Sequence, residues 1–311
     1  MGAQWWGMGA ELYASEPVFR AAIDHCNALW PGPSLARFFS GELDGSPMPH
    51  PVDAQPAGLA LQVALTELWR SRGVQPGAVV GHSFGEIAAA WAAGAITLEQ
   101  ALAIAYHRSR LEESVAGRGA MLAVGMSEQA ARERLPGGVT LAAVNGANAV
   151  TLSGTPAALD ALAAELDVPS KRLHVSVAYH GADIDHLWLA FHASVGHVGA
   201  TAPRIPFYST VDGAEVTHAG YWWRNLREPT RFHAALRRMA DDGWDAFAEI
   251  GPHPQLSPLV LDALPGATVV TSMRRGRPQG ETFARSLAKL RGRVPSASGR
   301  ASRPTAASSA S

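Results

Sequence analysis

The chain has 311 residues, enough for about two domains or one large α/β domain carrying an insertion. Hydrophobic residues make up 47% and charged residues 17%, with Gly 31 and Pro 21, which excludes a disordered, collagen-like or coiled-coil chain. Lys+Arg 26 against Asp+Glu 27 leaves a net charge of -1, so no global field draws in nucleic acid or an anionic membrane. The longest apolar stretch, residues 87–96, is shorter than the roughly 20 residues of a membrane span, and residues 1–15 lack the regions of a signal peptide. A soluble protein is expected. The single cysteine, Cys26, forms no internal disulfide or multi-thiolate metal site, which fits a reducing cytoplasm.

In chain order, Val18, Phe19, Ala22, Ile23 and Leu29 predict a helix over about 17–29. Residues 31–57, rich in Pro and Gly, read as an irregular connection to a second helix over about 57–70, which stops at Gly73. Ala78-Val79-Val80-Gly81 follows the turn-forming Pro76-Gly77 and suits a strand covered on both faces. Helix resumes from Gly85, and Thr97 with Gln100 has the spacing of a capping box opening a helix over about 98–114. From 119 to about 177 the signals shorten: strand 121–124, helix 128–134, a hairpin of 141–144 with 149–153 around Asn145-Gly146, helix 156–166 and strand 172–177. That βαββαβ order is the split-βαβ pattern of a ferredoxin-like unit. Beyond it a helix over 184–195, a strand near 205–209, a helix over 229–240 and a strand at 246–250 resume the α/β alternation.

Gly81-His82-Ser83-Phe84-Gly85 matches G-x-S-x-G with an apolar strand before it and a helix after it, the context that a nucleophile elbow requires. The glycines permit a sharp turn that lifts the serine hydroxyl from the sheet, at a helix N-terminus that favours developing negative charge. The Phe84 N–H is then one oxyanion donor. The expected architecture is α/β: a large α/β-hydrolase-like domain with a parallel sheet and nucleophile elbow, interrupted by a small ferredoxin-like βαββαβ subdomain. The division is 1–118 and 179–292 for the large part, 119–178 for the small one, and 293–311 as a Ser/Ala/Pro-rich linker or tail. A serine hydroxyl needs a base within hydrogen-bond reach. His82 faces the other side of its strand, His107 lies on a helix, and His180 falls where the chain returns from the small unit, so several histidines compete.

Gly81-His82-Ser83-Phe84-Gly85-Glu86 resembles the GHSxGE motif of malonyl-CoA:acyl-carrier-protein transacylases and of the acyltransferase domains of modular polyketide synthases. Residues 2–9, Val177-Ala178-Tyr179-His180, residues 221–226 and residues 249–254 are similar to further segments of that family in the same order, and the resemblance spans about 1–290. It implies a ping-pong acyl transfer. Ser83 attacks an acyl-CoA thioester, His180 moves the proton, and the N–H groups of Gln4 and Phe84 hold the oxyanion. The histidine is oriented by a backbone carbonyl, expected around residues 254–256, and Asp183 and Asp185 read as solvated helix-start residues. Arg108 occupies the family's carboxylate-binding position, where a guanidinium fork grips a malonyl carboxylate. The plainer role for Arg108 is an i,i+4 pair with Glu112. A dicarboxylic unit is favoured because an acetyl group would leave the arginine charge unpaired. Phe84, Val177 and Tyr179 fall at selectivity positions; a ring at Tyr179 fills the space of an α-methyl, which favours malonyl over methylmalonyl.

Two departures from the family stand out. Its usual apolar strand and Gly-Gln-Gly before the matched glutamine are replaced by the start at Met1-Gly2-Ala3-Gln4, and Gly181 and Ala182 replace a serine and proline after the histidine. The expectation is of a truncated or mis-started segment with an exposed apolar groove and impaired stability, tested by comparison with a chain extended upstream. Rival functions are a serine hydrolase or editing thioesterase, which would pair Asp160 or Asp167 with His180 or Asp245 with His253, and a non-catalytic docking segment, against which Ser83, His180 and Arg108 together speak. The partners implied are an acyl carrier protein, with Arg224, Arg227 and Arg231 as a contact or a plain solvated face, and a neighbouring ketosynthase and other domains of a megasynthase. Acyl-CoA and the carrier's phosphopantetheine are substrates; no bound cofactor and no metal are implied.

Overall fold

In the computed structural model, which describes residues 4–40, 44–211, 215–218 and 220–293, a short helix α1 (Ala10–Ser15) precedes the expected α2 (Pro17–Leu29). Pro17 stands at the start of α2, where its missing N–H leaves no bond unmade, and Phe19, Ile23 and Cys26 form one buried stripe. Helix α3 (Pro51–Ser71) begins at Pro51 rather than near residue 57. Pro51 serves as a helix-starting residue and Asp53 complements the dipole in the first turn, so a stretch that reads as irregular by composition is already helical. Strand β1 (Val79–Val80) leads into α4 (Gly85–Ala92), and α5 (Leu98–Glu113) lies behind its capping box. There the Gln100 N–H donates to Thr97 Oγ1 at 3.2 Å and the Thr97 N–H to Gln100 Oε1 at 2.8 Å.

Strand β2 (Ala120–Val124), α6 (Glu128–Arg132), β3 (Val139–Gly146), β4 (Ala149–Gly154), α7 (Pro156–Glu165) and β5 (Ser170–Arg172) follow. The four strands make one antiparallel sheet in the order β3-β4-β2-β5. Leu122, Leu141 and Leu152 from the strands, Ala131 from α6 and Leu159 and Leu162 from α7 close a separate apolar cluster on it. Two details differ from expectation. The hairpin turns at Ala147 and Asn148, with Asn145 and Gly146 still inside β3, where irregular register lets Asn145 face inward. Strand β5 stops at Arg172 instead of running over 172–177, because after Leu173 donates to Met121 the Val175 N–H turns back onto the Leu173 carbonyl at 2.9 Å.

The expected helix over 184–195 splits into a 3-10 segment, Ala182–Leu187, and α8 (Trp188–Val195). Then come β6 (Phe207–Tyr208), α9 (Tyr221–Arg227), α10 (Phe232–Asp241), β7 (Ala246–Glu249), α11 (Ser257–Ala263), β8 (Thr268–Thr271) and α12 (Gln279–Arg291). Helix α10 starts at Phe232, not near residue 229, because Thr230 is bound to the small sheet: its N–H donates to Ala142 O and its carbonyl accepts from Val144 N–H, each at 2.9 Å. The single parallel sheet expected of the large part is, among the described residues, two parallel pairs, β1 with β6 and β7 with β8. A cavity of about 880 Å³ is lined by Val79 and Val80 of β1, by Ala248 of β7 and by Ile250. The main core packs α1, α2, α3, α4, α5, α8 and α9 through residues such as Leu12, Phe19, Leu61, Ile87, Ile104, Phe191 and Leu226. Among the described residues no helix is long and apolar enough to cross a membrane. The expected tail from residue 294 onward, and residues 1–3 of the N-terminal motif, lie outside the described residues.

Candidate active site

The turn from β1 into α4 is made by Gly81-His82-Ser83-Phe84-Gly85, and Ser83 sits at φ 54, in the left-handed region that side chains avoid. His180, at φ 59, is the other non-glycine residue with positive φ among the described residues. Two strained residues therefore meet, and the surrounding packing has to hold both. Gly81 is required for a different reason: a Cβ there would stand 2.3 Å from the Glu86 backbone nitrogen. Gly85 carries no such constraint, since its Cβ would meet only Gln62 Nε2 at 3.8 Å.

Ser83 Oγ and His180 Nε2 are 2.7 Å apart, and His180 Nδ1 is 2.8 Å from the Glu228 carbonyl oxygen. A carbonyl only accepts, so Nδ1 carries the proton and Nε2 presents its lone pair to the serine hydroxyl. The orienting carbonyl is Glu228, not one at residues 254–256. It is set there because the next residues are pinned to β3 through Thr230. Burial, then the Arg108 and His82 charges, pushes the His180 pKa down to about 3, which keeps the imidazole neutral and basic at ordinary pH. His82 turns away, with Nε2 2.7 Å from Asn145 Oδ1, and burial pushes it down to about 4. His107 lies on α5 beside the Tyr106 ring.

Glu86, the last residue of the hexapeptide, anchors the elbow from beneath. Its buried carboxylate accepts from the Thr210 N–H at 2.5 Å, Thr210 Oγ1 at 2.7 Å, Tyr221 OH at 2.6 Å and Asn225 Nδ2 at 2.6 Å. Burial raises its pKa, and these donors oppose the rise. Asn225 Nδ2 also lies 3.2 Å from the Ser83 carbonyl, and Asn225 Oδ1 accepts from Arg108 Nη1 at 2.6 Å. One amide thus ties the nucleophile's backbone to the arginine. Asn225 and Glu228 escaped sequence reasoning as functional positions; Asn225 lies in the Tyr-Trp-Trp-Arg-Asn-Leu segment, legible as a motif without a chemical role, and Glu228, just beyond it, acts through its backbone and left no signal.

Arg108 is buried on α5, only 1% exposed, and its guanidinium lies 5.4 Å over the Phe84 ring. Its Nε donates to Glu112 Oε1 at 2.8 Å, so both the i,i+4 pair and the interior position near His180 are present together. In the resting site the Arg108 charge is paired by Glu112. Val177 and Tyr179 are buried in the main core, and burial followed by the Glu112 charge holds the Tyr179 hydroxyl well above its ordinary pKa. Gln4 and Phe84 line the cavity that His180 also borders; the Gln4 carbonyl accepts from the Met48 N–H at 3.1 Å.

Two of the three acids of the rival hydrolase reading are engaged elsewhere, Asp160 with Arg172 and Asp245 with Arg293, while His253 Nδ1 accepts from the Arg275 N–H at 3.2 Å. Arg224, Arg227 and Arg231 do not form a free basic face, since they pair with Glu228, Asp185 and Glu128 respectively. Asp185 is thus paired rather than merely solvated. Among the described residues no group of three His, Cys, Asp or Glu side chains is placed to hold a metal ion.

A buried serine–histidine pair on a strand–turn–helix elbow, with an arginine linked to the serine's backbone, is an arrangement chemically suited to acyl transfer. The chain matches the acyl transferase domain family over residues 1–294 and belongs to it. It is 41% identical over 311 residues to erythronolide synthase EryA2 of Saccharopolyspora erythraea, covering 92% of this chain and 9% of that protein. To the spectinabilin polyketide synthase system protein NorC of Streptomyces orinoci it is 42% identical, over 88% of this chain and 13% of the relative. The acyltransferase domain from module 8 of the salinomycin polyketide synthase superposes with a TM-score of 0.87 at 35% identity, over 93% of this chain and 72% of that one. A loading acyltransferase from the avermectin modular polyketide synthase gives 0.86 at 31%, over 94% and 97%. The chain is an acyltransferase domain of the polyketide synthase type, and it spans less than a seventh of the length of these multidomain relatives.

Proposed function

We propose that the chain loads an acyl unit from CoA onto the phosphopantetheine thiol of an acyl carrier protein through an acyl-Ser83 intermediate. Ser83 Oγ attacks the thioester carbon as its proton passes to His180 Nε2; the oxyanion collapses, and the CoA thiolate leaves with that proton. The carrier thiol then attacks the acyl-serine with the same histidine as base, which returns the proton to Ser83. The Phe84 N–H, at the head of α4, and the Gln4 N–H are the oxyanion donors in this scheme. The observation that carries the reading is the relay of Ser83 Oγ to His180 Nε2 at 2.7 Å and His180 Nδ1 to the Glu228 carbonyl at 2.8 Å.

Malonyl is the acyl unit we favour. Arg108 supplies the interior cation, and the buried Tyr179 ring occupies room that an α-methyl would need. We further read the large part as α/β-hydrolase-like and the β3-β4-β2-β5 sheet with its two helices as ferredoxin-like, with 119–178 as the inserted unit. The partners in this reading are a carrier protein and a neighbouring ketosynthase of a cytoplasmic megasynthase, with no cofactor held by the chain. Intact-mass spectrometry after incubation with malonyl-, methylmalonyl- and acetyl-CoA tests it. A covalent acyl adduct that Ser83→Ala abolishes is expected; CoA release with no adduct in a folded sample would favour hydrolysis instead.

A further inference from the structure

An arginine kept for a substrate carboxylate would be expected to stand free in the resting enzyme. Here the opposite holds: Arg108 Nε donates to Glu112 Oε1 at 2.8 Å and Nη1 donates to Asn225 Oδ1 at 2.6 Å, so two of its three nitrogens are engaged. The other Glu112 oxygen accepts from Gln55 Nε2, and the Tyr179 hydroxyl also bonds to this carboxylate. Glu112 is 0% exposed. Gln55 on α3, Arg108 on the same helix and Tyr179 surround it.

The pair is electrically complete without a ligand. A malonyl carboxylate brought to the remaining Nη edge would place two carboxylates on one guanidinium in a dry site, where like charges strongly disfavour joint ionisation. An acetyl group brings no such charge. We propose that Glu112 is a specificity-determining residue of this site: its carboxylate holds Arg108 in the resting enzyme, and an acyl unit with its own carboxylate enters only as Glu112 takes up a proton, whereas a plain acyl unit loads without one. This rests on the acyl-transfer reading above. In the step an O–H bond forms on Glu112 with a solvent proton, Arg108 turns from that oxygen to the substrate carboxylate, and no other bond changes. The groups that bear on Glu112 are Arg108 and the neighbouring Glu113, itself paired with His50, on or against α5, neutral Gln55 from α3, and Tyr179 from the segment before His180. Burial already favours the protonated form of Glu112 and Arg108 opposes it, so engaging Arg108 with another anion removes the opposing influence.

The test is a ratio. The acyl-Ser83 formation rates with malonyl-CoA and with acetyl-CoA are measured from about pH 6 to about pH 9, and the quotient cancels the shared ionisation of His180. The expected result is a malonyl-to-acetyl ratio that falls as pH rises, approaching about tenfold per pH unit for one proton taken up. In Glu112→Gln, whose amide still accepts from Arg108 but carries no charge, the ratio is expected to be pH-independent and at least about tenfold higher at the alkaline end. A ratio flat with pH in the unaltered chain overturns the proposal, and it does so without any variant, so a Glu112→Gln protein that fails to fold leaves the decision intact. A sloping ratio that persists unchanged in a folded Glu112→Gln protein overturns it as well. No Ser83 adduct from either donor would sink the transfer reading itself, and the proposal with it.

Discussion

The small sheet and the elbow region are stabilised in different ways. The four antiparallel strands of the small sheet share ladders, interrupted only between β3 and β4, and a private apolar cluster, so each strand is held by its neighbours. The parallel pairs of the large part are short and flank a cavity, and the elbow depends instead on point contacts: Glu86 with its four donors, Asn225 bridging Ser83 and Arg108, and Thr230 tying the Glu228 carbonyl to β3. A sheet can thus be assembled from repeated local pairings, while a reactive serine is placed by a few long-range polar contacts, each of which matters singly.

The sharpest way to break this contrast is at Gly81. Gly81→Ala is expected to cost more than about 3 kcal/mol and to abolish acyl-enzyme formation, because the added carbon meets backbone rather than a movable side chain. Gly85→Ala should stay within about 1 kcal/mol and keep activity; equal melting temperatures for the two variants would show that the elbow is not built on that close approach. Packing gives the next largest effect. Leu152→Ala, in the small cluster, should lose about 3 kcal/mol in denaturant unfolding, and Val80→Ala, half-buried beside the cavity, only about 1 kcal/mol. The reverse order would mean that the cavity wall, not the small sheet, carries the stability.

The smallest effect is a missing one. Because the folded His180 stays neutral down to about 3, acylation by acetyl-CoA is expected to show no inflection near the ordinary imidazole value of 6.5. The sign for stability follows from the same shift. Between 6.5 and about 3 the unfolded chain binds a proton that the folded one refuses, so His180, and His82 with it, make the fold less stable as pH falls through that window. Chemical unfolding followed across it checks this: His82→Gln should flatten the slope, and an unchanged slope would place the acid sensitivity elsewhere.

Much of the frame was legible without coordinates. The capping box at Thr97, the proline at the start of α2, the βαββαβ alternation and the glycine-bounded elbow are local patterns whose physical cause lies within a few residues. The helical start at Pro51 and the end of β5 at Arg172 were not, because composition marks proline as a breaker even where it opens a helix, and alternation continues past the residue where the ladder ends. The pairing of β1 with β6 and β7 with β8 was equally out of reach, since it joins segments over a hundred residues apart or across an unannounced helix.

For the site, the sequence by itself marked the candidates: Ser83 in its motif, several histidines among which the family resemblance singles out His180, and Arg108 on a capped helix. The tertiary structure decided how they are held. It brought the Glu228 carbonyl to His180 and the Asn225 amide to Ser83 and Arg108, whereas the Arg108–Glu112 pair was already legible as an i,i+4 spacing. The reason is physical: a nucleophile's identity is written in side-chain chemistry and local turn geometry, whereas its orientation depends on a backbone carbonyl that any residue type can supply and on a side-chain amide far away in sequence, which only the packed chain brings into hydrogen-bond reach.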